Sequence, residues 1–215
     1  MHLLFMKGLA IQTVTISFYK FSSVSSRLWA LSQMARARLY LPKIAGLSFY
    51  KLFGAGSGQG FTMNVNPLSN SGIYAILAVW DSEKTATEAL LTEKVFQRYK
   101  RHAKRNWNIF LTPTSVRGIW SGHNPFNSQI AKKTGYVVAL TRATIKPNLI
   151  FKFWRKVPDI QKVIGNDQNV IFKIGLGEIP FRNQVTFSIW PDEEMMNNFA
   201  RANGPHAAAI KAVRK

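Results

Sequence analysis

The sequence contains no cysteine. This excludes disulfide bonds, thiolate metal sites, iron–sulfur clusters and a cysteine nucleophile, and it fits a reducing, cytoplasmic compartment. Acidic residues are scarce, with 10 Asp and Glu against 29 Lys and Arg and a net charge of +19. A field of this sign attracts polyanions such as nucleic acid, anionic lipid or an acidic redox partner.

Long apolar runs are also missing, since no stretch approaches the roughly 20 residues that span a membrane. The first segment, MHLLFMKGLAIQTVTISF, lacks the small-residue cleavage site of a signal peptide. We therefore predict that it leads into a strand. Large apolar side chains are plentiful, with a hydrophobic content of 47%, six Trp and fifteen Phe. Such a chain has rings to bury in a core or to place around a cavity.

The first half of the chain has the pattern β-α-β-β-α-β. Its strand-like segments are VTISFYKF, LSFYKLF, GIYAILAVW and WNIFLTPT, and its helical segments are SSRLWALSQMARARL and the residues from Asp81 to about Asn106. Ser26 is the predicted cap of the first helix. One face of that helix carries Leu28, Leu31, Met34 and Ala35.

The second half repeats the order in the segments GYVVALTRATI, NLIFKFWRKVPDIQKVI, VIFKIGLGE, QVTFSIW and PDEEMMNNFARANGPHAAAIKAVRK. The best register aligns Trp80 with Trp190, because each ends an apolar strand and precedes acidic residues that suit a helix N-terminus. Trp29 with Trp154 and Lys51 with Lys173 follow the same order. The last strand of the second copy is missing, which indicates a fragment or a missing C-terminus.

This repeat predicts an α+β fold of tandem ferredoxin-like units that form a dimeric-α+β-barrel-like core. We place the first repeat at residues 12–116, a linker rich in turn formers at 117–134 and the second repeat at 135–215. The Gly-x-Gly turns of both copies lead into strands and not into helices. They therefore indicate bends or bulges rather than a dinucleotide site.

His206 is the histidine that stands out. Sliding the two halves without gaps from the tryptophan pair places it on Phe96. It follows Gly204 and Pro205 at the start of a helix, where the positive dipole end favours the neutral ring that a metal binds. A hydrogen-bonded core histidine is the alternative. Because no second His, Asp or Glu stands at non-haem spacing, a metal on His206 would be a haem iron.

Two other histidines carry weaker signals. His102 lies in the basic run RYKRHAKR and is predicted to face solvent. His123 lies in WSGHNPF, and we interpret it as a turn residue that could also face a pocket.

Several segments are distinctive, namely FYKLFGAGSGQGF, IFLTPTSVRGIWSGHNPF, ALTRATIKP, FWRKVPDI, VIFKIGLGE, QVTFSIWPD and GPHAAAIKAVR. Together they resemble the spheroidene monooxygenase family of carotenoid biosynthesis. The resemblance implies a haem-dependent enzyme of dimeric α+β barrel type. It would hydroxylate an acyclic carotenoid and then form a ketone, using molecular oxygen and an electron donor such as a ferredoxin. It also implies that His206 is the axial ligand.

Within this interpretation, Arg142 is the candidate partner of a haem propionate, since guanidinium groups match carboxylates. A sheet-edge arginine facing water is the alternative, and Arg117 is a second candidate. A polyene cavity could be lined by Trp80, Trp120 and Trp190, each of which could equally fill the core. The predicted metal ligand and catalytic residue is thus His206, and the predicted cofactor-binding residues are His206, Arg142 and Arg117.

The basic segment EKVFQRYKRHAKR suggests peripheral contact with anionic lipid headgroups, or simply a solvated helix face. Two alternatives remain open. One is a basic nucleic-acid-binding module built on ferredoxin-like units, although the RNP1 pattern is missing. The other is a haem protein of the same fold with a different substrate.

Overall fold

The computed structural model describes residues 11–55, 72–130, 135–145, 147–149, 169–179 and 182–201. The chain separates into two compact units. The first comprises Met1–Leu52 and Ile76–Ala131, and the second comprises Phe53–Ala75 and Lys132–Lys215. The repeat boundaries predicted from the sequence stay a prediction.

The first unit is built on four strands, three helices and two short 3₁₀ turns. In chain order they are β1 (Thr13–Lys20), α1 (Val24–Arg36), the turns Ala37–Leu39 and Leu41–Lys43, β2 (Leu47–Ala55), β3 (Ile73–Trp80), α2 (Glu83–Thr92), α3 (Lys94–His102) and β4 (Arg105–Leu111). The strand order is β4-β1-β3-β2. Strands β1 and β4 are antiparallel, from Val14 opposite Leu111 to Lys20 opposite Arg105. This order is that of a ferredoxin-like unit.

The second unit contains β5 (Val137–Thr144), a 3₁₀ turn at Pro147–Leu149, β6 (Phe172–Ile179), β7 (Asn183–Trp190) and α4 (Glu193–Arg201). Strand β7 pairs antiparallel with both β5 and β6. The last residues of β2 belong to the second unit, and within it Gly54 lies opposite Gly177 and Ala55 opposite Leu176 of β6. The order β5-β7-β6 repeats β1-β3-β2 of the first unit. The predicted fold class, α+β with tandem ferredoxin-like repeats of the dimeric α+β barrel type, is confirmed.

Helix α1 begins earlier than the sequence suggested. Ser23, and not Ser26, is its N-cap, because the Ser23 hydroxyl accepts a hydrogen bond from the Ser26 backbone N–H at 3.1 Å. The Ser26 hydroxyl instead donates to the Ser23 carbonyl. The prediction of Ser26 as the cap was therefore wrong by one turn, since both serines satisfy the capping pattern and only the chain path decides between them.

The long helix predicted after Asp81 is two helices. Glu93 has an extended backbone with φ −69° and ψ 128°, and it separates α2 from α3. The Gln97 side chain donates to the carbonyls of Leu90 and Leu91 at 3.0 and 2.8 Å. Those carbonyls belong to the last turn of α2, where helical partners are lacking. The glutamine thus stabilises a break that the apolar periodicity does not reveal.

Aromatic rings hold α1 and α3 against the sheet of the first unit. The Tyr99 ring lies 5.0 Å from Tyr19 and 5.3 Å from Trp29, and Trp29 also packs on Phe21. Burial raises the pKa of the Tyr19 hydroxyl above its usual range. The side of α1 that faces this cluster buries Ala30 and Gln33. Leu28 and Leu31 lie on the outer side and are exposed.

Among the helices of the described residues, none combines the length and the hydropathy needed to cross a bilayer.

Candidate functional site

His206, the predicted axial ligand, lies outside the described residues, as do Gly204 and Pro205. The helix NLIFKFWRKVPDIQKVI, with Trp154, also lies outside them apart from its first two residues. The position onto which His206 was aligned is described: Phe96 is buried in α3 with its ring 6.0 Å from Trp80. In the second unit the ring that packs on Trp190 in the described part is Phe199, at 5.1 Å.

Arg142 lies in the middle of β5 and forms an ion pair with a buried carboxylate. Its Nε is 3.5 Å from Glu178 Oε2 across β7, and the exposed fractions of the two side chains are 21% and 7%. Arg142 lies opposite Val185, which lies opposite Leu176, so the guanidinium stem shares an apolar sheet face with these residues. The pair therefore lies in a poorly solvated place.

Glu178 lies at a β-bulge in β6. Gly177 is opposite Gln184 and Ile179 is opposite Asn183, so Glu178 is the extra residue on β6. Such an insertion redirects a side chain and twists the strand. The Gly-x-Gly of the sequence was predicted to mark a bend or bulge, and this register shift follows its second glycine. Alternation from Leu176, which pairs with Val185, already places Glu178 on the face of the sheet that carries Arg142.

Asn183 adds an acceptor to this face. It lies two residues from Val185 on β7 and is therefore on the same face as Arg142. Its Oδ1 is buried and has no hydrogen-bond partner among the described residues. We call Arg142, Glu178 and Asn183 the β5–β7 polar cluster. A buried amide oxygen without a donor costs roughly 1–3 kcal/mol, which a bound donor would recover.

Arg142 was predicted from the sequence, whereas Glu178 and Asn183 were not. A signal for Glu178 was present, since it is the only acidic residue between Asp167 and Asp192 and it sits in a strand-like segment. An acidic residue at that position must be buried or at an edge. Asn183 gave no comparable signal, because an asparagine beside Arg182 looks like an ordinary turn residue.

Arg117 is exposed and precedes a tight turn in the first unit. Trp120 and His123 exchange backbone hydrogen bonds in this turn, and Ser121 and Gly122 have φ angles of 56° and 89°. Two consecutive positive φ values are typical of a type I′ hairpin turn. The interpretation of His123 as a turn residue is consistent with this geometry.

His123 also faces an open cleft of about 380 Å³ in the first unit. The cleft is lined by Arg38, Pro42, Leu47, Ser48, Phe49, Tyr50, Lys51 and His123. The Lys51 ammonium donates to the Ser121 hydroxyl at 2.7 Å and lies 5.4 Å from the centre of the Phe49 ring. The lining contains basic and hydroxyl groups and no carboxylate, which makes the cleft attractive to an anion.

The other candidate rings are core residues. Trp80 and Trp190 are fully buried, and their indole N–H groups donate to Thr15 Oγ1 at 2.8 Å and to Ser188 Oγ at 2.9 Å. Trp120 is buried between Phe49 and Phe126. His102 is exposed, as predicted, but its ring stacks on Trp29 at 4.0 Å.

Comparison with known proteins places this geometry in a family. The chain is 46% identical over 208 residues to a spheroidene monooxygenase of Cereibacter sphaeroides, a match covering 94% of this chain and 62% of that protein. It is 45% identical over 204 residues to a spheroidene monooxygenase of Rhodobacter capsulatus, which covers 94% of this chain and 83% of the relative. This chain belongs to the spheroidene monooxygenase family. The resemblance given by the sequence motifs is thereby confirmed.

A third member of the spheroidene monooxygenase family, from Rubrivivax gelatinosus, is 30% identical over 190 residues, or 88% of this chain and 72% of the relative. The chain spans 62% of the length of the C. sphaeroides member. No family model matches the chain.

Solved structures resemble the chain weakly. An anthrone oxidase-like protein has a TM-score of 0.33 at 12% identity, covering 95% of this chain and 85% of the other. A cofactor-independent oxygenase of Streptomyces nogalater has a TM-score of 0.35 at 14% identity, covering 50% and 97%. Similarities at this level carry no inference about chemistry in the spheroidene monooxygenase family.

The fit of the described residues to a haem is partial. A haem brings two propionates that need cationic partners, and Arg142 is a buried cation that already binds a carboxylate, Glu178, at 3.5 Å. A propionate would therefore share this guanidinium with Glu178. A guanidinium suits a haem carboxylate, although Glu178 already neutralises the charge of Arg142.

Proposed function

We propose that this chain is part of a haem-dependent monooxygenase that hydroxylates an acyclic, spheroidene-like carotenoid and then converts the same carbon to a ketone. The observation that carries the proposal is the 45% identity across 83% of a protein named spheroidene monooxygenase. The substrates would be the carotenoid and molecular oxygen, with electrons from a donor such as a ferredoxin.

The reaction balances in two turnovers. In the first, a C–H bond is broken and a C–OH bond is formed. One oxygen atom enters the product, and the other leaves as water after the donor supplies two electrons and two protons. The second turnover repeats this at the same carbon, and the resulting geminal diol loses water to give the ketone. A bound haem would supply the oxygen activation for both turnovers.

The protein has three tasks in this proposal. His206 would bind the iron as a neutral imidazole. Arg142 would bind a propionate in the poorly solvated β5–β7 polar cluster, where Glu178 fixes its guanidinium. Arg117 would be a second propionate partner. Apolar side chains beside Arg142, such as Val185 and Leu176, would keep water away from the cation.

The proposal favours an enzyme over a nucleic-acid binder for a structural reason. RNA-binding ferredoxin-like domains stack bases on rings exposed on their two central strands. In the described part of the first unit, the central strands β1 and β3 are buried almost throughout, including Phe18 and Tyr74. No ring of these two strands is therefore offered for stacking.

The test is spectroscopic and catalytic, on the full-length protein reconstituted with haemin. We expect a Soret band. After incubation with a reductant and oxygen, we also expect products with the masses of the hydroxylated and the keto derivative of spheroidene. His206→Ala should abolish both the band and the turnover. His102→Ala, a change at an exposed histidine on α3, is the matched control and should retain both. A His206→Ala protein that keeps the Soret band would refute the ligand assignment, and turnover without any haem would refute the cofactor.

A further inference from the structure

The outer side of α1 carries apolar side chains that face solvent. Val24, Leu28 and Leu31 are spaced by four and three residues, so they form one line along the helix. Leu39 and Tyr40 follow in the turns after α1 and are also exposed. The exposed fractions of these five side chains range from 45% to 65%. We call Val24, Leu28, Leu31, Leu39 and Tyr40 the apolar strip.

The helix is fixed in this orientation by its opposite side. Ala30 and Gln33 are buried, and Trp29 packs against both Phe21 and Tyr99. Turning the strip inward would therefore expose the ring cluster and the small residues that fit beneath α1. A helix that is anchored by one side and apolar on the other is typical of helices that lie in a membrane interface.

The surroundings of the strip are strongly basic. The first acidic residue of the whole sequence is Asp81, whereas seven Lys and Arg precede it. Arg36, Arg38 and Lys43 are exposed beside the strip. Helix α3 adds further cations, namely Lys94, Arg98, Lys100 and Arg101, and the stack of His102 on Trp29 ties it to α1. This charge is complementary to an anionic lipid surface.

The basic cleft of the first unit opens next to the end of the strip. Arg38 and Pro42 line the cleft, and the strip residues Leu39 and Tyr40 lie between them in the chain. Lys51 and His123 bring a cation and an imidazole to the same cleft. A lipid whose acyl chains contact the strip would have its phosphate within this region.

We propose that the apolar strip and the cleft together dock the protein on an anionic phospholipid bilayer. The strip enters the boundary between headgroups and acyl chains, and the cleft binds a headgroup phosphate through Arg38, Lys51 and His123. The assignment specifies the membrane contact that accompanies the proposed carotenoid oxidation and rests on that function for its purpose. Binding itself requires neither haem nor turnover.

Vesicle binding tests the surface directly. The wild-type protein is titrated with vesicles of phosphatidylcholine alone and with vesicles that also contain phosphatidylglycerol, and bound protein is measured by sedimentation. We expect binding only to the anionic vesicles. Leu28→Ser with Leu31→Ser should weaken this binding about ten-fold or more, because two half-exposed leucines lose their apolar contact. Leu91→Ser is the matched control, since Leu91 is 64% exposed on α2, outside the strip.

The charges are tested in the same assay. Arg36→Gln with Arg38→Gln should weaken binding by about five-fold per charge, and Lys84→Gln on α2 should change it less than two-fold. Equal binding to neutral and anionic vesicles, or equal losses in strip and control variants, would overturn the proposal. Tight binding of soluble glycerol phosphate without vesicle binding would assign the cleft to a free metabolite instead. Turnover of detergent-solubilised carotenoid is measured in parallel, so that loss of docking and loss of activity are told apart.

Discussion

The ion pair between Arg142 and Glu178 offers the sharpest test of the site. Glu178→Gln keeps the size of the side chain but removes the negative charge, leaving the Arg142 guanidinium in a poorly solvated place. Breaking a buried pair from one side costs about 3 kcal/mol. For a chain of this size, that loss corresponds to a fall in the thermal midpoint of about 6–12 °C.

A double-mutant cycle separates the pair from its neighbours. Arg142→Met removes the cation and retains an apolar stem, so the double variant, Glu178→Gln with Arg142→Met, no longer contains an unmatched charge. We expect the double variant to lose about 2 kcal/mol less unfolding free energy than the sum of the two single losses. Chemical denaturation followed by circular dichroism measures all four proteins.

An exposed pair supplies the control. Lys84 and Glu88 lie 3.9 Å apart on α2, with exposed fractions of 85% and 64%. Lys84→Met should change stability by no more than about 0.5 kcal/mol, since surface pairs contribute little. If Glu178→Gln is as mild as this control, or if the cycle shows no coupling, the poorly solvated ion pair is not a feature of the protein in solution.

Two further predictions concern the first unit. Gly46 has a φ of 74°, and a Cβ there would collide with Thr85 Cγ2. Gly46→Ala should therefore destabilise the fold by about 2–3 kcal/mol, and adding Thr85→Ser should restore only the steric part. A loss under 0.5 kcal/mol would contradict the geometry. The raised pKa of Tyr19 predicts lost stability at high pH, because the unfolded chain ionises above about pH 10 while the buried hydroxyl does not. Tyr19→Phe should flatten the alkaline fall in stability above about pH 10; an unchanged slope would assign the fall to other groups.

The repeat could be predicted from the sequence because strands and helices alternate in a fixed order. Trp80 and Trp190 end β3 and β7, and each is followed within three residues by a helix, as the register required. The residues that decide helix ends were harder to predict. Ser23 and Ser26 fit the same capping pattern, and the break at Glu93 depends on a side chain, Gln97, that reaches back to two carbonyls.

The candidate site was predictable only in part. Arg142 was identified because a cation among apolar strand residues is conspicuous. Its partner Glu178 lies on the same face by alternation from Leu176, but the sequence does not show that β7 pairs with both β5 and β6 and so brings the two residues together. The apolar face of α1 was recognised, but periodicity does not state on which side the core lies. Trp29 and its ring contacts settle that question.

The break at Glu93 also sorts charge along the chain. Helix α2 carries Glu83, Lys84 and Glu88, whereas α3 carries only cations among its charged residues, four of them besides His102. The two short helices therefore form a small electric dipole, with α3 as its positive end. A protein diffusing toward a negative surface would be turned by this separation before any atom touches, and dissolved salt would blunt the turning as the Debye length shortens.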